Sequence, residues 1–375
     1  MKNDPLPRYL ILLSLLALPF SRGQVAAADT APQLTLESPP AESPNQFSLS
    51  YRMGFNINVG FKNVGNFGPL GHQVLGQGPY AQPGNPGPAT GGAINRTYED
   101  GYNWVDDTGN QQGLTRYWGY DSAGQVQGNA IVMHSTSSPG MDAGERSADP
   151  SQGFEVTYQR ELFRREHWRG GLVAAFGYSA LSVSDARPLL GVVNRSADAF
   201  TLGPAAGGGL IVPPPAPYSG PYALVTEGDP VIHDSPVRTT SLIPSSISGQ
   251  RSFNADLFGF RLGPCLEIPL SRKVSLTLDG GFALVYVNSD FSYNETVSIP
   301  GVGSVSNAGS GSHSAWLPGG YVAVNISVAL SKRWALVAGA QFEDVGRYTQ
   351  NLNGKEAMLD LSNAIFATLG LSYSF

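Results

Sequence analysis

The sequence predicts an all-β fold, an up-and-down antiparallel barrel that spans a membrane. Apolar and polar residues alternate over long stretches, and short and long connections between these stretches alternate along the chain. Of the 375 residues, 41% are hydrophobic, only 14% are charged and 46 are glycine. This hydrophobic content is sufficient for a folded core. Strict alternation is typical of strands with one apolar and one polar face.

The first of these stretches runs from Phe47 to Lys62. Apolar residues occupy every odd position up to Phe61, and the residues between them are polar or glycine. We interpret 47–62 as one strand, roughly 50 Å long at about 3.3 Å per residue. Tilted by about 40°, such a strand spans an apolar membrane band of about 25 Å. The same alternation recurs along the chain. The predicted strands cover 47–62, 151–165, 168–184, 251–270, 274–291, 314–330, 334–347 and 358–375.

The lengths of the connections predict the topology of these eight strands. Three connections are tight and basic, and the others are longer. The tight ones are 166–167, 271–273 and 331–333, and the long ones are 63–150, 185–250, 292–313 and 348–357. Barrels of bacterial outer membranes have short periplasmic turns and long extracellular loops, so we expect the four long connections to be extracellular. The alternative is a ten-stranded barrel with an added hairpin of 114–120 and 126–134.

The N-terminal residues predict export. Lys2 and Arg8 precede an apolar run at 9–20, and the alanines at 26–28 fit an A-x-A cleavage site. We interpret 1–28 as a signal peptide and the Pro-, Ser- and Thr-rich residues 29–46 as a flexible periplasmic leader. The apolar run is too short for a transmembrane helix. The barrel with its loops then occupies 47–375.

The last eight residues resemble the β-signal of bacterial outer-membrane proteins. Its polar, glycine and aromatic positions are filled by Thr368, Gly370, Tyr373 and Phe375. The resemblance implies recognition by the barrel-assembly machinery and a location in the outer membrane of a Gram-negative bacterium. Taken whole, the chain resembles the small eight-stranded outer-membrane barrels and no single characterised family. Such barrels contact outer-membrane lipid and lipopolysaccharide, and they serve as anchors, adhesins, complement-resistance factors, lipid enzymes or narrow channels.

Polar residues on the inward-facing positions of the strands are the first candidate site. An eight-stranded barrel has room inside only for its own side chains. Because a buried charge must be paired, we expect a network of ion pairs and hydrogen bonds that plugs the lumen. A polar path for small solutes is the alternative. The predicted members are Arg52, Asn56, Asn58, Arg261, Glu267, Asp279, Gln341 and Glu343, with Asn325 beside them.

Aromatic residues in the first long loop are the second candidate site. They are Tyr98, Tyr102, Trp104, Tyr117, Trp118 and Tyr120. Exposed aromatic residues are enriched at binding surfaces, so this set is a possible surface for an unknown extracellular ligand. Local packing of the loop hairpin is the other interpretation, and it is the one that the sequence favours.

Other features exclude several classes of function. The net charge of −6 and the lack of a Lys/Arg block argue against nucleic-acid binding. Cys265 is the single cysteine, so no disulfide framework or Cys-rich zinc site can form. Residues 106–110 carry oxygen ligands but lack the spacing of an EF-hand, and we interpret them as a solvated turn. We expect no metal, no cofactor and no catalytic residue.

The sequence therefore predicts a non-enzymatic barrel protein that acts in surface interaction or envelope integrity. The first alternative is a narrow channel for small solutes, which would depend on Arg52 or Arg261. The second is a small lipid-modifying enzyme, which would depend on His134 or His313.

Overall fold

The computed structural model describes residues 44–71, 96–104, 113–203, 212–220 and 230–375. Residues 1–43, which contain the predicted signal peptide and most of the predicted leader, lie outside this range, as does the stretch 106–110. The all-β prediction is confirmed, since strands account for nearly all regular structure in the described residues. In this part of the chain, no helix is long and apolar enough to cross a membrane.

The described elements are short strands at the loops and long strands in one large sheet. In chain order, they are β1 (Asn45–Phe55), β2 (Asn58–Lys62), β3 (Arg96–Thr97), β4 (Gly101–Trp104), β5 (Leu114–Thr115), β6 (Tyr117–Tyr120), a 3-10 turn (Ala123–Gln125), β7 (Val126–Gln127), β8 (Ala130–Ser137), β9 (Glu145–Ser147), β10 (Ser151–Arg164), β11 (Arg169–Asp185), β12 (Leu189–Thr201), β13 (Tyr218–Ser219), β14 (Ile232–His233), β15 (Val237–Pro269), β16 (Val274–Ile299), β17 (Gly303–Ala329), β18 (Trp334–Asp344), β19 (Arg347–Leu352), β20 (Lys355–Asp360) and β21 (Ala364–Ser374).

Eight strands of the large sheet pair in a closed circuit. β1 pairs with β10, β10 with β11, and β11 with β15. The circuit continues through β16, β17, β18 and β21, and β21 pairs with β1 again. Every pairing is antiparallel. We call these eight the ring strands, and the side of the sheet that the circuit encloses is its inner face.

Tight turns join the ring strands at one end, which we call the short-turn end. In two of these turns, Ser271 and Ser331 occupy equivalent positions. The Ser271 hydroxyl accepts hydrogen bonds from the backbone N–H groups of Lys273 and Val274, and Ser331 does the same for Arg333 and Trp334. Such side-chain acceptance is the reason that serine favours turns. We call the opposite end of the ring the loop end.

At the loop end, some ring strands extend beyond the ring, and others end at a bend. β15, β16 and β17 continue as an extended sheet, which we call the wall, and β17 runs 17 residues past its last pair with β18, from Gly319 back to Gly303. The chain beside β10, β1, β21 and β18 instead bends into β9, β2, β20 and β19. These four pair in the same order and form a second sheet, which we call the cap sheet.

The bend between β1 and β2 corrects the prediction of one strand over 47–62. Asn56 has φ 58°, a left-handed conformation that Asn tolerates better than most residues. The Asp149 carboxylate accepts hydrogen bonds from the N–H groups of Asn56 and Ile57, at 2.9 and 3.0 Å. Since the chain turns here, Ile57 is fully buried, whereas the alternation had predicted a lipid-facing side chain.

The cap sheet packs on the inner face of the wall. Phe61 of β2 stacks on Phe291 of β16 at 5.9 Å between ring centroids, and Tyr348 of β19 contacts Phe253 of β15 at 6.4 Å. Segments predicted as loops therefore contain ordered strands. In 292–313, β16 and β17 fill all but the turn at 300–302, and 348–357 contains most of β19 and part of β20.

A third part of the fold lies beside the wall. β12 pairs with β15, and β8 pairs with β12, so both extend the sheet outside the circuit of ring strands. The predicted hairpin of 114–120 with 126–134 does not form. β6 pairs with β4 and β13 instead, and β8 pairs with β7 and β12.

Candidate functional site

The outer face of the ring strands carries a continuous apolar band. Near the short-turn end, Trp168, Trp334 and Phe375 are 38%, 49% and 53% exposed. Above them on the same face lie large exposed side chains. These are Leu49, Tyr51, Phe154, Leu172, Leu262, Leu278, Phe282, Val322, Val324, Ile326, Leu336, Phe342, Leu369 and Leu371. A soluble protein rarely exposes so large an apolar surface, so this band requires an apolar environment.

A row of aromatic rings closes the band toward the loop end. It runs across five neighbouring ring strands through Phe154, Tyr178, Phe258, Tyr286 and Trp316. Successive ring centroids lie 5.7, 5.4, 6.1 and 4.9 Å apart. We call this row the upper girdle. Trp168 directly precedes β11, and Tyr178 lies ten positions after it. This spacing corresponds to about 33 Å along the strand and about 25 Å along the ring axis at a tilt of about 40°.

Opposite the band, the inner face holds an ion network. Arg52 lies 3.0 Å from Glu343 and 3.7 Å from Glu155, and Arg261 lies 2.6 Å from Glu155. Gln341 donates a 2.6 Å hydrogen bond to Glu343. All five side chains are buried. The structure therefore brings together four of the residues predicted for this network.

Glu155 was missed in the sequence, although it joins the two arginines. Its place in the sequence could have identified it. Glu155 lies between the apolar residues Phe154 and Val156 and therefore belongs to the polar face of its strand. Aromatic rings complete the coordination of both cations. The Arg52 guanidinium carbon lies 3.5 Å from the Phe366 centroid, and that of Arg261 lies 4.7 Å from the Tyr321 centroid. Such contacts partly offset the cost of removing a cation from water.

The network divides the interior into two small cavities. The cavity toward the short-turn end, of about 50 Å³, is lined by Glu155, Arg261, Asp279 and other polar residues. It has room for a few water molecules. The other, of about 10 Å³, is lined by Arg52, Glu343 and mostly apolar residues. Asn325 donates a 3.0 Å hydrogen bond to Asp279. The ion network thus lies between the two cavities.

Three residues predicted for the network lie elsewhere. Asn56 is exposed at the bend, where its amide donates to the Asn363 carbonyl. Asn58 is in β2 of the cap sheet. Glu267 lies close to the short-turn end and forms a separate ion pair with Arg169 at 3.6 Å. The two asparagines were misplaced because the prediction carried one strand through the bend.

Beyond the upper girdle, the faces of the sheet exchange character. On β16, Val287, Phe291 and Tyr293 of the inner face are buried, and Asn288 and Asp290 of the outer face are exposed. The period of two continues, but the apolar side is now the inner one. The wall has this character because its inner face is covered by the cap sheet, whereas its outer face is exposed.

A second buried ion cluster lies between the wall and the cap sheet. Glu295 contacts Lys355 at 2.8 Å and Arg251 at 3.5 Å, and Arg251 lies 3.9 Å from Asp185. Each is at most 2% exposed. This cluster was not predicted from the sequence. Its signal is the occurrence of Arg251 and Glu295 in the same register as apolar residues such as Phe253.

Asp185 has the most polar surroundings in this cluster. Arg187 donates to its carboxylate from the backbone and the side chain, each at 3.0 Å. Burial raises the pKa of the Asp185 carboxyl, but these hydrogen bonds and the charge of Arg251 outweigh it and lower the pKa to about 2. The carboxylate is therefore ionised at all physiological pH values.

Most of the aromatic residues predicted as a binding surface are buried. Tyr98, Tyr102, Trp118 and Tyr120 are 0 to 4% exposed, and Tyr117 is half-buried. The backbone of Trp104 lies in β4. Tyr98, Trp118 and Tyr120 pack in a core with residues of β8 and β12, so these rings stabilise the third part of the fold. The interpretation of the buried four as an exposed surface was wrong.

A charged triplet ties this core to β15. The Tyr98 hydroxyl donates a 2.5 Å hydrogen bond to Asp198, and Arg238 binds the same carboxylate at 2.7 and 2.8 Å. Burial raises the pKa of Asp198, but the hydrogen bonds from Arg238 and Tyr98 lower it below its usual value. The triplet therefore keeps a charge in an otherwise apolar core.

The two histidines considered for catalysis have different partners. His134 Nδ1 lies 2.7 Å from the Asp100 carboxylate, and His313 Nδ1 lies 2.9 Å from the Tyr348 hydroxyl. That hydroxyl contacts the Ser289 hydroxyl at 2.8 Å, and Ser289 is 1% exposed. A serine this deeply buried cannot attack a substrate. Among the described residues, no group of three or more potential ligands could hold a metal ion.

The residues of the predicted assembly signal lie in β21, which pairs with both β1 and β18. Gly370 is required by the approach of β1, because a Cβ atom there would meet the Leu49 carbonyl oxygen at 2.2 Å. The Tyr373 ring packs against that of Trp334 at a tilt of 58°, with 5.0 Å between the centroids, and Phe375 is exposed. Thr368 lines the larger cavity.

Comparisons with known proteins give structural similarities only. No family model matches the chain, and no curated protein matches it. Its strands are similar to those of the attachment invasion locus protein Ail of Yersinia pestis, at 9% identity and a TM-score of 0.28 over 89% of this chain and 99% of that one. The outer-membrane protease OmpT from Escherichia coli is similar at 11% identity and a TM-score of 0.31, over 91% and 99%. A FadL homologue of Pseudomonas aeruginosa is similar at 8% identity and a TM-score of 0.18, over 88% of this chain and 90% of that one. These are outer-membrane β-barrel proteins, but TM-scores below 0.5 support no statement about the activity of this chain.

Proposed function

We propose that the eight ring strands form a transmembrane barrel in the outer membrane of a Gram-negative bacterium. The closed circuit of pairings supports this, because it leaves no open sheet edge at the level of the band. The apolar band and its upper girdle support it further, since bacterial barrels carry an apolar band of about 25 Å between aromatic girdles. The short-turn end is then periplasmic, and the wall and cap sheet are extracellular.

Within this proposal, the protein is a sealed, non-enzymatic barrel that acts in surface interaction or envelope integrity. The observation that carries this conclusion is the double closure of the interior. The ion network of Arg52, Glu155, Arg261 and Glu343 fills the barrel, and the cap sheet covers the wall above it. A narrow channel is therefore less well supported, because both layers would have to move for a solute to pass.

We propose three kinds of partner on the basis of the same arrangement. Lipid and lipopolysaccharide would surround the apolar band, and the barrel-assembly machinery would recognise the residues of β21. An extracellular ligand, still unidentified, would meet the exposed faces of the wall and of the third part of the fold. These parts have hydrophobic cores of their own, so they present a rigid surface.

Electrophoretic mobility of the folded protein tests the proposal. Detergent-folded protein should migrate differently before and after boiling, because a closed barrel resists the detergent until it is heated. Protease added outside sealed vesicles should leave the ring strands, the wall and the cap sheet intact. An unchanged mobility together with complete digestion would overturn the membrane barrel and require a soluble β-sandwich instead.

A further inference from the structure

The short turns of the ring share an unusual charge pattern. Two adjacent basic residues lie in each of two turns and directly before the third, which itself contains Glu166, and all three turns lie at the short-turn end. The pairs are Arg164 and Arg165, Arg272 and Lys273, and Lys332 and Arg333. All six side chains belong to exposed residues. We call these six residues the basic collar.

The collar has few carboxylate partners. Arg164 binds Glu161 at 2.7 Å. For Arg272, Lys273 and Lys332, no carboxylate of the described residues lies within ion-pair distance. These three cations, together with Arg333, which bonds the Tyr373 hydroxyl and not a carboxylate, make a strong local field around one rim, although the chain as a whole has a net charge of −6. The collar is therefore available to an anionic partner.

Neighbouring aromatic residues place the collar at the edge of the apolar band. Arg333 Nη1 donates a 3.2 Å hydrogen bond to the Tyr373 hydroxyl, and Trp334 contacts the same ring. Trp168 follows Arg165 across its turn. Aromatic residues of barrels lie at the membrane interface, where lipid headgroups are found. The cations are therefore at headgroup depth and not in the aqueous phase beyond.

The other edge of the band has the opposite charge. The first charged residues past the upper girdle on the outer face are acidic: Asp256 of β15, Asp290 of β16 and Asp344 of β18. The two interfaces would therefore select different lipids. On the outer face next to the band, the upper edge therefore offers carboxylates to a lipid headgroup, whereas the short turns offer cations.

We propose that the basic collar binds the phosphate groups of anionic glycerophospholipids in the leaflet that borders the short turns. This inference rests on the proposed membrane barrel. Basic residues near a membrane surface attract anionic lipid, by about fivefold for each residue at low salt. Because these cations are exposed, the attraction should weaken as salt rises from about 0.05 to about 0.5 M.

Quenching of tryptophan by brominated lipid measures this preference at the collar itself. A Trp316→Phe variant leaves Trp168 and Trp334 as the described tryptophans of the band. It would be reconstituted in mixed phosphatidylglycerol and phosphatidylcholine bilayers, with bromine on one lipid at a time. We expect brominated phosphatidylglycerol to quench several-fold more than its bulk fraction predicts, and high salt to remove the excess.

Charge-neutralising variants assign the effect to the collar. The quadruple variant R272Q/K273Q/K332Q/R333Q should lower the preference for phosphatidylglycerol at least about tenfold. The double variant K332Q/R333Q should lower it partly, and the matched double variant K62Q/R116Q, which removes two positive charges from the loop end, should leave it unchanged. Heat-modified mobility verifies that each variant is folded.

A W168F/W334F variant reports on the other edge, where Trp316 should show no preference for phosphatidylglycerol. Equal quenching by both brominated lipids at Trp168 and Trp334, or a preference that survives the quadruple variant, would overturn the collar proposal and leave the barrel intact. No quenching by either lipid at any of the three tryptophans would overturn the barrel itself. The two failures are thus distinguishable.

Discussion

Asp185 shows how a single residue can couple the core between the wall and the cap sheet to pH. Its carboxylate is buried beside Arg187 and Arg251, and its pKa is about 2 in the folded protein. An unfolded chain has an aspartate pKa near 3.9. Because the folded value is the lower one, ionised Asp185 contributes stability above about pH 5, and this contribution disappears as the pH falls from about 4 to about 2.

We therefore expect the apparent unfolding temperature of Asp185→Asn to lie below that of the wild type at pH 6, with a difference that shrinks toward pH 2. Thermal unfolding in detergent at a series of pH values measures it. The variant Arg187→Gln removes the main hydrogen-bond donors and should reduce the pH-dependent part of the difference. A difference that is the same at pH 6 and pH 2 would show that Asp185 does not act through its charge.

At the same scale, the sequence predicted one ion network and not the other. Arg52, Arg261 and Glu343 stand out because polar residues on an inward register have to pair. Arg251 and Glu295 do not stand out in this way, since the inner face beyond the girdle is apolar. Arg251 and Glu295 stand out only once it is known that the inner face becomes the apolar one beyond the upper girdle. That change depends on contacts of the wall with the cap sheet, whose strands lie far away in the sequence.

At the scale of elements, the bend at Asn56 separates β1 in the ring from β2 in the cap sheet. A β-branched residue is strongly disfavoured at positive φ, whereas glycine accepts it without strain. Asn56→Val should therefore destabilise the loop end by about 1–2 kcal/mol, and Asn56→Gly should cost less. Protease digestion of the folded variants at the loop end measures the effect, with the heat-modified mobility of the ring as control.

Equal protease resistance of the two variants would mean that the bend does not depend on the conformation of Asn56.

The bend at Asn56 also limited how well the strands could be predicted from the sequence. Positions of the strands in the ring were predicted to within a few residues at the short-turn end, because the alternation stops at the tight basic connections there. The bend was not predictable, since the alternation continues through Ile57 although the chain has left the ring.

For the whole molecule, the two layers of closure predict that the barrel does not conduct ions. The ion network lies between the two cavities, and the cap sheet covers the wall above. Wild-type protein in planar bilayers should therefore give no single-channel events, and heat-modified mobility verifies that this protein is folded.

The double variant R52S/E343S removes one cation and one anion from the network and should widen the interior. It should still be silent, because Phe61 and Leu359 of the cap sheet remain packed. Conductance of the wild type would contradict the sealed interior. Conductance that appears only in the double variant would mean that the ion network is the sole seal and that the cap sheet is open to solutes.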